Sequence, residues 1–285
     1  MKNFAFLGRD YKVEYNQLLR LQSVLALENL QSVRPDDLSG IHEARKGFKR
    51  LRACFYLLKP TDKSAFRWGN RLFRDVSAQL SVLRDNQVLR ETLDRLSAAG
   101  ELSINEPGVI SLYERLALRE KKSADFIPEI IVGAKESVEK FIRQLDISNP
   151  IPFGRQVFYS GIQMTYKECR RGWKKALGTN SDELFHQWRK KTKYHYFHMQ
   201  LSRSICQCSD KRMERLDLLC ELLGRHHDLM LLKTLLDQHE RNDAATLRVL
   251  IREQAVLAEQ SRLLGKKVFA LPVGDYSLRL ERLVN

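Results

Sequence analysis

One helical segment occurs twice in this chain, and a second segment recurs behind each copy. Ile41-His42-Glu43-Ala44-Arg45-Lys46-Gly47-Phe48-Lys49 parallels Phe185-His186-Gln187-Trp188-Arg189-Lys190-Lys191-Thr192-Lys193, so that His42, Arg45, Lys46 and Lys49 fall on His186, Arg189, Lys190 and Lys193 at an offset of 144. Downstream, Leu83-Arg84-Asp85-Asn86-Gln87-Val88-Leu89 parallels Arg225-His226-His227-Asp228-Leu229-Met230-Leu231-Leu232, with Asp85 on Asp228 at an offset of 143. Two motifs in the same order at nearly the same distance mark an internal duplication, which constrains the fold to two similar halves. The strongest breaker cluster, Asn149-Pro150-Ile151-Pro152-Phe153-Gly154, lies between them. The expected organisation is therefore a first half over 1–148, a linker over 149–154 and a second half over 155–285.

Both halves have the period of helices. Leu18, Leu21, Leu25 and Leu30 predict a helix over Tyr11–Gln31, and Pro35-Asp36-Asp37 predicts a break and a cap before a second helix over Leu38–Leu58. Asp62 caps a third helix to about Leu83, and further helices are predicted from Asp85 to Gly100, Pro107 to Lys122 and Pro128 to Leu145. The second half predicts helices from Arg155 to Gly178, from the Ser181-Asp182-Glu183 cap to Ser204, from Asp210 to Gly224, from Asp228 to Glu240 and from Asp243 to Leu264. Only 14 Gly and 7 Pro in 285 residues fit long helices rather than a turn-rich β protein. The expected fold class is all-α, two pseudo-symmetric helical bundles.

Charge supplies the first functional indication. Lys plus Arg number 49 against 35 Asp plus Glu, a formal +14, which predicts an anionic partner. No apolar run has spanning length, and the start of the chain is too short in apolar residues for a signal peptide. The five cysteines, Cys54, Cys169, Cys206, Cys208 and Cys220, give no disulfide framework. The chain is expected in the cytoplasm, with no membrane partner.

In the repeated motif, positions 0, 3, 4 and 7 of a helix span roughly 100° of one face. His42, Arg45, Lys46 and Lys49 thus form a basic stripe flanked by Arg50 and Arg52, while Ala44, Phe48, Leu51 and Phe55 lie opposite and can pack. His186, Arg189, Lys190 and Lys193 form the second stripe. Lys63, Arg67, Arg71 and Arg74 make a third basic face, and Lys167, Arg170, Arg171 and Lys174 a fourth. Like charges at these spacings repel by a few tenths of a kcal/mol per pair. Four such faces point to a positive groove or channel that a polyanion neutralises. A row from position 42 to 52 extends about 15 Å at 1.5 Å per residue, which suits an extended ligand with many phosphates. Asp85 and Asp228 are assigned a structural role, orienting the basic cluster and lowering its electrostatic cost.

Catalytic constellations are not found. His227-Asp228, with His186 and Asp243, superficially suggests a metal-dependent phosphohydrolase, but the first copy has Arg84-Asp85 at that point, and arginine is no metal ligand. Cys206-x-Cys208 lacks the spacing of a tetrahedral zinc site. There is no P-loop, G-x-S-x-G or G-x-G-x-x-G. No metal, cofactor or catalytic residue is assigned, and the chain is expected not to be an enzyme.

Two His-x-x-Arg-Lys-x-x-Lys helices, each followed some forty residues later by Arg-Asp or His-Asp before an aliphatic run, resemble the CHAD family (conserved histidine α-helical domain). Thr165-Tyr166-Lys167-Glu168-Cys169-Arg170-Arg171 and Leu222-Leu223-Gly224-Arg225-His226-His227-Asp228-Leu229 are similar to its second half. The resemblance spans nearly the whole chain and implies two helical bundles facing each other across a central basic channel. It implies binding of inorganic polyphosphate without catalysis, with possible targeting to polyphosphate granules. The family's histidine and basic positions carry over to His42, Arg45, Lys46, Lys49, His186, Arg189, Lys190 and Lys193. Arg50, Arg52, Arg71, Arg74, Lys167, Arg170, Arg171 and Lys174 complete the expected polyphosphate-binding set. After Lys193 the chain departs from the commoner pattern, since Tyr194-His195-Tyr196 stands in for basic residues. With a short N-terminal region lacking alternating glutamates, a stand-alone version is expected. The alternatives are a nucleic-acid binder using the same charge, with Trp188, Tyr194, Tyr196 and Phe197 for stacking, and a metal-dependent phosphohydrolase.

Overall fold

The computed structural model describes residues 4–34, 37–206, 209–237 and 244–282. Among them twelve helices occur and no strand: α1 (Tyr11–Gln31), α2 (Ser39–Leu57), α3 (Lys63–Gln79), α4 (Ser81–Ala98), α5 (Pro107–Ala124), α6 (Ile127–Ile147), α7 (Arg155–Ala176), α8 (Asp182–Leu201), α9 (Arg203–Cys206), α10 (Asp210–Asp237), α11 (Ala244–Val268) and α12 (Val273–Arg282). Pro35, Asp36, Cys208, Glu240, Asp243 and the side chains of Arg84 and Cys206 lie outside the described residues. None of the described helices is long and apolar enough to cross a membrane.

Single polar side chains start several of these helices. Asp10 accepts from the Val13 amide at 3.0 Å, Asp62 from the Ala65 amide at 2.9 Å and Ser181 from the Leu184 amide at 3.4 Å. Each satisfies a backbone donor that the first helical turn leaves open. Gly100 (φ +73°) and Gly178 (φ +80°) take the left-handed conformation just beyond α4 and α7 and stop them.

The predicted break at Gly224 does not occur, because α10 runs unbroken from Asp210 to Asp237. A glycine inside a helix costs only about 1 kcal/mol against alanine. Leu222, Leu223, Leu229 and Leu232 are all buried on either side of it, and that burial outweighs the cost. The corresponding stretch of the first copy does break, at Leu80 between α3 and α4, slightly earlier than the sequence predicts. The duplicated segments therefore differ as one long helix against two shorter ones.

Two apolar cores hold the helices. The larger collects Phe48, Phe55 and Phe73 with Phe141, Phe158, Phe185 and Trp188, and so takes in both halves of the chain. The smaller joins Leu89, Leu93, Leu112 and Leu116 of α4 and α5 to Leu229, Leu232, Leu236 and Leu250 of α10 and α11. Residues 149–154 are pinned to α1: the Asn16 side chain accepts from the Ile151 amide at 3.0 Å and donates to its carbonyl at 3.1 Å, and Phe153 stacks on Tyr15 at 3.9 Å between centroids. At Gly161 of α7, a Cβ would lie 2.7 Å from the Leu57 carbonyl oxygen, so α7 approaches the end of α2 closer than any side chain permits. The two motif helices, α2 and α8, also pack on each other and thereby face a common groove.

Candidate anion-binding groove

Lys49 and Arg52 of α2 and His186, Arg189, Lys190, Lys193, Tyr194 and Phe197 of α8 line one groove of about 230 Å³. The six α8 positions follow the spacing of a single helical face, so the helix presents all of them in one direction. Lys49 and Arg52, three residues apart on α2, do the same from the opposite wall.

Lys49 reaches solvent yet is walled in by protein, as a side chain on the floor of an open groove is. Its ammonium is lowered to about 8, first by desolvation and then by Arg45, Arg189 and Lys193, with Asp85 opposing. A bound anion raises that value again. Affinity for an anion is therefore full below about pH 8 and falls as pH rises through that point, by up to about tenfold per pH unit as Lys49 comes to need protonation on binding. The expected outcome is a decline in affinity between pH 8 and pH 9.5 that Lys49→Arg flattens, because arginine keeps its charge. The same decline in both proteins would assign it to another group.

Arg52 donates from Nε to the Asn70 side-chain oxygen at 3.2 Å, and its guanidinium stands 6.0 Å from the Tyr194 ring centre. Tyr194 stacks on Tyr56 at 4.3 Å, which holds one wall of the groove rigid. Arg189 is half-buried, and its buried Nε finds no hydrogen-bond partner among the described residues. Burial lowers its pKa, while Asp228 and Asp85 oppose that shift. A buried cationic donor without a partner is costly, and the nearby carboxylates of Asp228 and Asp85 offset part of that cost.

His186 and His227 meet with their Nδ1 atoms 3.2 Å apart and ring centres 4.4 Å apart. Burial, then Lys190 and Arg189, lowers His186, and burial, then Arg189 and His186, brings His227 down to about 3. The pair is neutral at pH 7. One Nδ1–H donates to the other Nδ1, and the accepting ring carries its proton on Nε2. Asp228 has its carboxyl pushed up to about 6 by burial, against the pull of Arg189 and Arg95. Asp85 accepts from the Arg45 guanidinium at 3.1 Å.

The predicted basic residues divide by location. Lys49, Arg52, His186, Arg189, Lys190 and Lys193 come together in the groove. Arg45 is held by the Leu80 and Ser81 carbonyls, each at 3.3 Å, as well as by Asp85, so it clamps the α3–α4 break. Half-buried His42 lies on α2, and Lys46 pairs with Glu43 at 2.7 Å. Arg50 turns away into a separate cavity that also holds Tyr196, Asp210, Glu214 and Asp217. Arg71 is exposed on α3, and exposed Arg74 pairs with Asp75 at 2.9 Å. On α7, Lys167, Arg171 and Lys174 are exposed, and Arg170 donates to the Phe269 carbonyl at 3.2 Å. The motif gives no signal for Phe197, which lines the groove, or for Asn70 and His227, which contact the lining residues Arg52 and His186. Phe197 was findable, since it extends the α8 stripe eleven residues beyond His186, but Asn70 carries no periodic signal.

A model of the CHAD domain family matches residues 17–237. Two solved structures share the fold. PptA from Streptomyces chartreusis is 16% identical, covers 92% of this chain and 100% of its own, and superposes with a TM-score of 0.68. The CHAD domain from the plant Ricinus communis is 16% identical, covers 97% of this chain and 92% of its own, and gives 0.57. No curated protein sequence matches the chain.

Proposed function

The chain belongs to the CHAD domain family, and from that premise we propose that it binds inorganic polyphosphate, without catalysis, in a basic channel whose floor is the groove between α2 and α8. One observation carries the proposal: cationic side chains from both copies of the duplicated motif, Lys49 and Arg52 from one and Arg189, Lys190 and Lys193 from the other, line a single cavity. Five cations this close repel one another, and a chain of phosphates relieves all of them at once. Recruitment to polyphosphate granules is the cellular role that follows.

The geometry favours this ligand over nucleic acid. Trp188 is fully buried and the Tyr194 ring is already stacked on Tyr56, so these rings serve the protein rather than bases. A phosphohydrolase fits less well, since the cations Arg189, Arg95 and Lys49 surround Asp228, and no group of three or more His, Cys, Asp or Glu among the described residues is arranged to hold a metal ion. The test is competition for labelled polyphosphate by duplex DNA, RNA and tripolyphosphate across a salt series. Long-chain polyphosphate is expected to compete best, with affinity falling steeply in salt because many counterions are released, and with no phosphate freed in Mg²⁺ or Mn²⁺. Salt-insensitive binding, or equal competition by DNA, would refute the channel.

A further inference from the structure

Arg52 is the last residue of α2 that lines the groove, and α2 runs on to Leu57. Continuing along the same face of α2, Tyr56 lies under Tyr194, and Lys59 follows three residues later. There the Tyr56 hydroxyl donates to Glu168 Oε2 at 2.7 Å, and Lys59 Nζ donates to Glu168 Oε1 at 2.7 Å. Lys191 of α8 lies 3.4 Å from the same carboxylate. Both ammonium groups also sit against the Tyr56 ring, at 4.7 and 4.9 Å from its centre. A carboxylate from α7 thus occupies the point where two lysines converge, one just past the end of α2 and one on α8, beyond the groove-lining Arg52 and Tyr194. The lysine side chains remain 31% and 28% exposed, so a ligand could reach them. Burial raises the Glu168 carboxyl, but Lys59 and Tyr56 outweigh it and hold the group ionised.

We infer that Glu168 is an internal stand-in for a ligand phosphate, a residue that closes the groove at Lys59 and Lys191 and so sets how far along it a polyanion extends. The inference rests on the polyphosphate reading. With Glu168 in place, Lys59 and Lys191 are already neutralised, and the carboxylate repels a phosphate arriving past the Tyr56–Tyr194 stack. With its charge removed, both lysines become available. Lys49 stands about 12 Å from the end of α2 along its axis and Lys59 lies beyond that end, a distance that a chain of many phosphates spans and a triphosphate does not.

The experiment compares long-chain polyphosphate and tripolyphosphate as ligands for wild type, Glu168→Gln and Lys191→Ala, with thermal melts confirming that each variant folds. Glu168→Gln is expected to tighten long-chain binding by about tenfold, the worth of one added charge-assisted contact, and to leave tripolyphosphate unchanged. Lys191→Ala, whose partner is Glu168 rather than ligand, should change wild-type binding by less than about threefold, as expected for a partly exposed and screened charge. An equal gain for both ligands, or no gain, overturns the inference. If Glu168→Gln does not fold, a Lys191→Ala loss as large as that of Lys193→Ala also overturns it, because the ligand would then already reach the cluster. Absence of any polyphosphate binding by wild type is the separate outcome that removes the functional proposal and this inference with it.

Discussion

Replacing Lys190 and Lys193 together by alanine is expected to lower polyphosphate affinity at least about a hundredfold. Each charge-assisted contact contributes about 1.5–3 kcal/mol, so two lost contacts amount to roughly 3–6 kcal/mol. Both side chains line the groove, and neither belongs to the apolar cores, so the melting temperature should change little. Lys49 with Arg52 should behave in the same way, because one extended ligand touches both walls and binds the second at high effective concentration. Arg50→Ala is the matched control. It lies on the same helix and carries the same charge, yet it faces the cavity holding Asp217 and Glu214, so its loss should cost far less. If Arg50→Ala, which removes one charge, costs half as much binding free energy as a double variant, which removes two, net charge alone governs binding and the groove has no special role. Arg45 belongs to neither group: its contacts to Leu80, Ser81 and Asp85 predict that Arg45→Ala lowers stability as well as affinity.

The largest effect on stability is expected from Trp188→Ala, about 3–5 kcal/mol, which corresponds to a fall of roughly 5–20 °C in melting temperature. The Trp188 indole is fully buried. A Cβ added to Gly172 would come within 2.9 Å of it, and one added to Gly265 within 2.9 Å as well. A large ring from α8 thus fills space left open by glycines on α7 and α11, and truncation empties that space on both sides. The indole Nε1 has no hydrogen-bond partner among the described residues, so the loss is one of packing rather than polar contact. Trp68, 41% exposed against Phe55 and Phe141, provides the contrast and should cost much less. A cost below about 1 kcal/mol at Trp188 would mean that the three helices close over the gap.

Helix existence was legible in the chain because the apolar period and the capping residues Asp62 and Ser181 agree on it. Breaks were less legible. Gly224 looks like a stop to local rules, and only the buried leucines on both sides, a tertiary term, carry α10 through it. The short α9 and terminal α12 gave no clear period, yet α12 places Tyr276 on Tyr166 at 3.7 Å. In the groove, the lining comes from the two motif helices, and on α8 from the face that the motif marks. The motif could not show that Arg50, one residue past Lys49, lies on the far side of the α2 ridge, or that Arg45 is committed to the α3–α4 carbonyls. Those outcomes depend on which helices pack beside α2, and no local pattern in α2 records its neighbours. His227 carries no signal of its own in the motif, yet its Nδ1 meets that of His186, which lines the groove.

The smaller core has a consequence for how the protein is made. Its α4–α5 leucines, packed on one another, are covered by α10 and α11, and Arg115 of α5 donates to the Leu235 carbonyl 120 residues further along the chain. At roughly 5–20 residues per second, synthesis of that interval occupies on the order of 6–24 s. Throughout that time Leu89, Leu93, Leu112 and Leu116 have left the ribosome without the surface that covers them. A sequence duplication is commonly imagined as two units that fold one after the other as they emerge. Here the first unit waits for the second, and the nascent chain carries an uncovered leucine face, a natural client for a holding chaperone, until nearly the whole polypeptide exists.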